Sequence, residues 1–198
     1  MASGKESSSL FASDRERRLW TWTLAVVVAI YSTLGLARTL AGILRDEGIL
    51  VAAFLIGMVL VGATALALGL RTRPGAAEIG IALGIAAVYF MVMLRMALPE
   101  ERTHLIEYGV VALFIHEALK ERARQGRRVP IPALLAIAAA SAVGTIDECI
   151  QAFIPSRVFD PEDILFNFLA ALMAVVSSVA LSWARRRRDR VRRETDRR

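Results

Sequence analysis

Apolar residues in this chain fall into long blocks: Trp20 to Leu36, Ile49 to Leu70, Ile79 to Ala97, Leu105 to Leu119, Ile131 to Ile146 and Ile164 to Trp183. A surface helix of a soluble domain alternates apolar and polar positions at i, i+3 and i+4, and these blocks leave little room for a polar face. Most approach the roughly 17–25 residues that carry a helix across a bilayer. The pattern predicts an all-α membrane protein, a bundle of about six transmembrane helices. The fourth and fifth blocks reach spanning length only if His104 to Tyr108 and Asp147 to Gln151 are counted as helical turns, which sets those polar turns at the interface or in a cavity between helices.

Composition agrees with this reading, since a chain of 198 residues with 56% hydrophobic residues is too apolar for an ordinary soluble domain. The first block is long and lacks a clear small-residue cleavage site, so it reads as an uncleaved anchor. Residues 1–18 read as a disordered Ser-rich tail, 19–184 as one membrane domain and 185–198 as a basic tail. Gly80 with Gly84 and Ala53 with Gly57 have the spacing of small-residue helix contacts. Cys149, the sole cysteine, rules out an intramolecular disulfide and reads as a small packing residue.

Net charge +6 invites a nucleic-acid partner, but its location argues against one. From Arg185 onward nine arginines face three acids, while the remaining chain is balanced at 16 basic and 16 acidic residues. Directly after a span, the run Arg185 to Arg188 reads as a stop-transfer signal and an anchor for anionic lipid. No nucleic acid is expected, because no aromatics interleave the tail. Sorted by alternate sides, 20 of the 25 basic residues share one side with both termini. The positive-inside rule makes that side cytoplasmic.

On this topology three polar groups face the extracytoplasmic side: His104, Glu107 and Tyr108; Asp147, Glu148 and Gln151; and Arg157, Asp160, Asp163 and Asn167. Spacings of three or four residues put His104, Glu107 and Tyr108 on one helix face, as they do Asp147 with Gln151 and Asp163 with Asn167. Adjoining helices would merge these faces into an outward-opening polar pocket. Part of the acidity is helix capping, since Asp160 or Pro161 can begin the sixth helix with Glu162 and Asp163 in its first turn. Ionisable residues within a membrane usually carry function, and the competing reading is an ion-pair network that docks the fifth and sixth helices. His116 and Glu117 read as interfacial, and Arg95 as a snorkelling side chain.

His104 and Tyr108, the block Asp147, Glu148 and Gln151, then Pro155, Arg157, Asp160, Asp163 and Asn167 form an ordered set that resembles the VanZ-like family of small bacterial membrane proteins. The resemblance covers about residues 78 to 183 and departs in two places. Glu101, Arg102 and Thr103 stand where the family often has Asp-Lys before the His, and Ala170 and Ala171 lie where a Gly commonly follows the Asn. It implies a multi-pass protein of the bacterial inner membrane with an envelope role, and lowered sensitivity to a lipoglycopeptide such as teicoplanin.

Three mechanisms fit these residues. As a binding module, the pocket would recognise a lipid-linked headgroup or lipoglycopeptide through Glu107, Tyr108, Gln151, Arg157, Asp160, Asp163 and Asn167, with Arg95 or Arg102 engaging anionic oxygens beside Arg157. As an enzyme on an envelope lipid, it would use Asp147 or Glu148 as base and His104 as acid or base partner. Transport is weakened by the lack of a visible inverted repeat. No cofactor is expected, and a metal held by Asp147, Glu148 and His104 is disfavoured because no His pair has ligand spacing.

Overall fold

The computed structural model describes residues 10–96, 99–154 and 160–197; Pro155 and Arg157 lie outside them. Each apolar block becomes one helix: α1 (Asp14–Asp46), α2 (Leu50–Arg71), α3 (Ala76–Arg95), α4 (Pro99–Arg124), α5 (Pro132–Gln151) and α6 (Pro161–Thr195). Among the described residues there is no strand. Gly48 and Gly126, with φ of 72° and 78°, take the left-handed conformation just past α1 and α4, where a side chain would be strained.

The first and last helices run beyond the apolar blocks that predict them. The helix α1 starts at Asp14, inside the segment read as a disordered tail, because the Ser13 hydroxyl accepts from the Glu16 N–H and caps it. At the other end α6 continues for 35 residues through the basic segment to Thr195. Its start follows the sequence, since the Asp160 carboxylate caps it by accepting from the Glu162 N–H at 2.8 Å.

By length and composition, α2, α3, α5 and α6 suffice to cross a membrane. A fifth span is added if Asp14–Leu34 and Thr39–Asp46, bent by 61°, count as one. The helix α4 fails this test, because Glu107 and Glu117 interrupt its apolar block. Its position explains the polarity. It packs against α1, α5 and α6, and buries Leu105, Tyr108, Val111, Ala112, Ile115 and Ala118. A helix lined by protein rather than lipid can carry polar groups that neighbouring helices satisfy.

The core is built around alanines, including Ala112, Ala136, Ala140, Ala170 and Ala171, which let helix axes approach closely. Among the described glycines the closest neighbour is at Gly144, where an added Cβ would stand 2.7 Å from Asn167 Cβ. By contrast, a Cβ on Gly57, Gly80 or Gly84 would meet nothing within 4 Å, so the small-residue spacings in α2 and α3 do not mark close contacts here. None of the residues of α2 is buried. Cys149 is exposed rather than packed in the core.

One end of the bundle is bound by ion pairs. The Glu16 side chain, fully buried, accepts from Arg122 Nη1 at 2.9 Å and from the Ala12 N–H at 2.6 Å, tying the start of α1 to the end of α4. Nearby, Glu121 accepts from Ser13 and Gln125 and lies 3.8 Å from Arg15. Glu78, near the start of α3, is 2% exposed and pairs with Arg185 and Arg188 of α6. Two of the four arginines read as a lipid anchor therefore also hold α3 against α6. His116 is buried by the surrounding helices.

Candidate functional site

The opposite end gathers polar side chains from α4, α5 and α6. Two near-helical repeats explain why they meet: His104 and Tyr108 are one turn apart on α4, with rings stacked 6.0 Å apart at 16°, and Asp147, Glu148 and Gln151 occupy the last turn of α5. On α6, Asp163 and Asn167 are likewise one turn apart. Gly144 lets α6 close on α5, and the packing of α4 against both helices completes the cluster.

The cluster is enclosed by protein: Asp147, Glu148 and Asn167 are 0% exposed, Gln151 2% and His104 8%. Its edge is Asp163, half-buried, beside the exposed residues Asp160 and Glu162. Polarity thus grades from solvent-facing carboxylates at the tip of α6 to sealed ones at the end of α5.

Hydrogen bonds fix most orientations. Asn167 Nδ2 donates to the Gly144 carbonyl at 3.4 Å, so its Oδ1 turns toward His104, whose Nδ1 stands 3.0 Å away. The other ring nitrogen, Nε2, lies 3.9 Å from Asp163 Oδ2. Gln151 Nε2 donates to Asp147 Oδ2 at 3.2 Å and to Glu148 Oε1 at 3.0 Å. That single amide leaves the second oxygen of each acid unserved: Asp147 Oδ1 and Glu148 Oε2 have no hydrogen-bond partner among the described residues. The Tyr108 hydroxyl stands beside Asp147 without completing a hydrogen bond of ordinary geometry. Buried polar atoms are nearly always paired, so three such atoms in one cluster require an explanation beyond packing.

The structure brings together seven of the residues singled out from sequence: His104, Tyr108, Asp147, Glu148, Gln151, Asp163 and Asn167. Glu107 is half-buried near Tyr108. Asp160 faces outward as the α6 cap, and Arg157 lies outside the described residues. Arg102 is engaged elsewhere: its guanidinium donates to the Met96 carbonyl at 2.9 Å and lies over the Phe54 ring, closing the end of α3 instead of facing the cluster. One ligand atom each from His104, Glu148 and Asp163 lies within 4.8 Å of the others, the separation at which side chains can share an ion.

Sequence reasoning missed two contributors. Tyr31 of α1 donates to the Val143 carbonyl at 2.7 Å and stands close to Asp147 and Tyr108. The signal was a polar ring within the first apolar block, next to Ser32 and Thr33. Gly144, three residues before Asp147, was the second, a position where only a missing side chain allows Asn167 to enter.

Comparison with known proteins bears on the part of the chain that builds this cluster. The VanZ/LLP1 family profile matches residues 81–182, which include its α4, α5 and α6 members and exclude Tyr31. No curated protein and no solved structure matches the chain. With about half of its length matched, from α3 through most of α6, the chain belongs to the VanZ/LLP1 family.

Proposed function

We propose that this VanZ-like protein crosses the bacterial inner membrane six times with both termini in the cytoplasm, and that its polar cluster is an outward-facing site for an envelope lipid headgroup or a lipoglycopeptide. Through that site it lowers sensitivity to teicoplanin-type antibiotics. Support for the topology comes from the alternation of six helices and from the Arg-rich end that holds the start of α1, the start of α3 and the ends of α4 and α6. The observation that carries the binding reading is the pair Asp147 and Glu148, fully buried, each with an oxygen that no described residue serves. Unserved acceptors are costly in a scaffold and useful in a site, where hydroxyl, amino or cationic groups of a ligand can satisfy them.

The test is teicoplanin and vancomycin susceptibility of a sensitive host expressing wild type, Asp147→Asn or Arg157→Ala, with the membrane abundance of each protein checked. Protection by wild type that disappears in abundant variants is the expected result. No protection from abundant wild type would remove the resistance role and turn the search to envelope lipids.

A second reading, an enzyme that modifies an envelope lipid, rests on the juxtaposition of Glu148 with His104 inside a protein-lined cluster, an arrangement suited to general acid–base chemistry. Lipid profiles separate the two. An enzyme loses a lipid product in Glu148→Gln while its abundance holds, and a binding module leaves the profile unchanged.

A further inference from the structure

The geometry points to a divalent cation held by His104, Glu148 and Asp163, one ligand from each of α4, α5 and α6. This inference rests on the headgroup-binding reading above and supplies what that site binds through. Sequence spacing disfavoured a metal because no His pair has ligand spacing. Helix packing provides the convergence instead, with the three ligand atoms within 4.8 Å of one another.

Three independent features favour a cation. The first is the tautomer of His104. Because Asn167 Nδ2 is committed to the Gly144 carbonyl, Asn167 Oδ1 is the atom facing His104, and it can only accept; Nδ1 therefore carries the proton. Nε2 is left with its lone pair 3.9 Å from Asp163 Oδ2, a separation that two ligands of one ion can share. An imidazole oriented through its far nitrogen by a carbonyl oxygen is the usual support of a metal-binding histidine.

The second feature is Glu148, fully buried, with Oε1 held by Gln151 and Oε2 without a hydrogen-bond partner among the described residues. The third is charge. Among the described residues, the buried carboxyls of Asp147 and Glu148 stand beside a single imidazole, a balance that disfavours the phosphate of a lipid headgroup. A dication reverses that balance. With three protein ligands it keeps at least one coordination position for a phosphate oxygen entering past the half-buried Asp163.

The donor set of one imidazole and two carboxylates suits zinc or manganese better than calcium or magnesium, which prefer oxygen alone. Gln151 and Asn167 act as positioning residues, holding Glu148 and His104 through their amides.

The experiment is titration of the full-length chain, purified in detergent and stripped with chelator, with zinc chloride and separately with manganese chloride. Isothermal calorimetry and metal analysis after gel filtration give affinity and stoichiometry, and circular dichroism verifies the fold. One ion per chain is expected. Glu148→Gln and Asp163→Asn should weaken binding at least 100-fold, and Asn167→Ala should weaken it by roughly 10–100-fold, as loss of outer support for a ligand does. Glu162→Gln, an exposed neighbour, should bind as wild type does. No stoichiometric binding of either metal to folded wild type, or equal binding by folded Glu148→Gln, overturns the site. No lipid or drug is present in this titration, so its failure leaves headgroup binding standing. Conversely, loss of the susceptibility phenotype leaves the metal result intact.

Discussion

The two ends of this bundle use the same residue types in opposite ways. At one end Glu16 and Glu78 are buried and each meets arginine from a distant helix, while Glu121 shares its oxygens with Ser13 and Gln125. At the other, Asp147 and Glu148 are as deeply buried, share the amide of Gln151, and each keeps an oxygen with no hydrogen-bond partner among the described residues. Burial alone therefore does not separate scaffold from site. Completeness of pairing does, because a paired buried charge locks two helices together, whereas an unpaired one costs stability that only a ligand, ion or reaction justifies.

The largest expected effect is at the paired end. Glu16→Ala strands Arg122 and the Ala12 N–H, and should cost about 3 kcal/mol, the low side of the range for a broken buried pair because Arg122 retains water access. Thermal unfolding in detergent and membrane abundance should both fall. Gly144→Ala comes next. Its new methyl would meet Asn167 Cβ at 2.7 Å, so α5 and α6 must part, at about 1–3 kcal/mol for overpacking. Loss of the phenotype together with a lowered melting temperature is the expected signature.

Asn167→Ala removes the acceptor that orients His104 without adding bulk, and should cost about 1–2 kcal/mol for the partner left unsatisfied. It sharpens the comparison because function should fall further than stability. Abundance and susceptibility measured on the same cultures give that ratio.

The smallest effect concerns pH. The hydrogen bond from Gln125 holds the Glu121 carboxyl below its ordinary 4.5, helped by Ser13, Arg15 and Arg124. A depressed folded pKa stabilises the fold above the unfolded value and loses that stabilisation as pH falls through the folded one. Melting temperature should therefore decline less steeply in Glu121→Gln than in wild type as acidity passes below pH 4.5.

Much of this organisation was legible in the sequence. Apolar blocks marked all six helices, and the spacings of His104 with Tyr108 and Asp163 with Asn167 marked faces that do meet. The rest depended on contacts between helices, which periodicity does not encode. Glu78, an acid in the first turn of α3, gains its partners Arg185 and Arg188 only through the packing of α6. Gly80 and Gly84 carried a contact spacing without a contact, while Gly144, which has the same spacing from Ala140, is the described glycine that meets its neighbour most closely. The polarity of α4 reads as a weak span in sequence and as the protein-lined centre of the bundle in structure.

The most direct measurement is the melting temperature of purified Glu148→Gln and Glu16→Gln beside wild type, in detergent with chelator present. If the cluster is a site rather than a scaffold, removing the buried charge of Glu148 leaves stability at or above wild type, while Glu16→Gln falls clearly below it. A drop in Glu148→Gln as large as that in Glu16→Gln would contradict the division between the two ends and make the cluster a second structural lock.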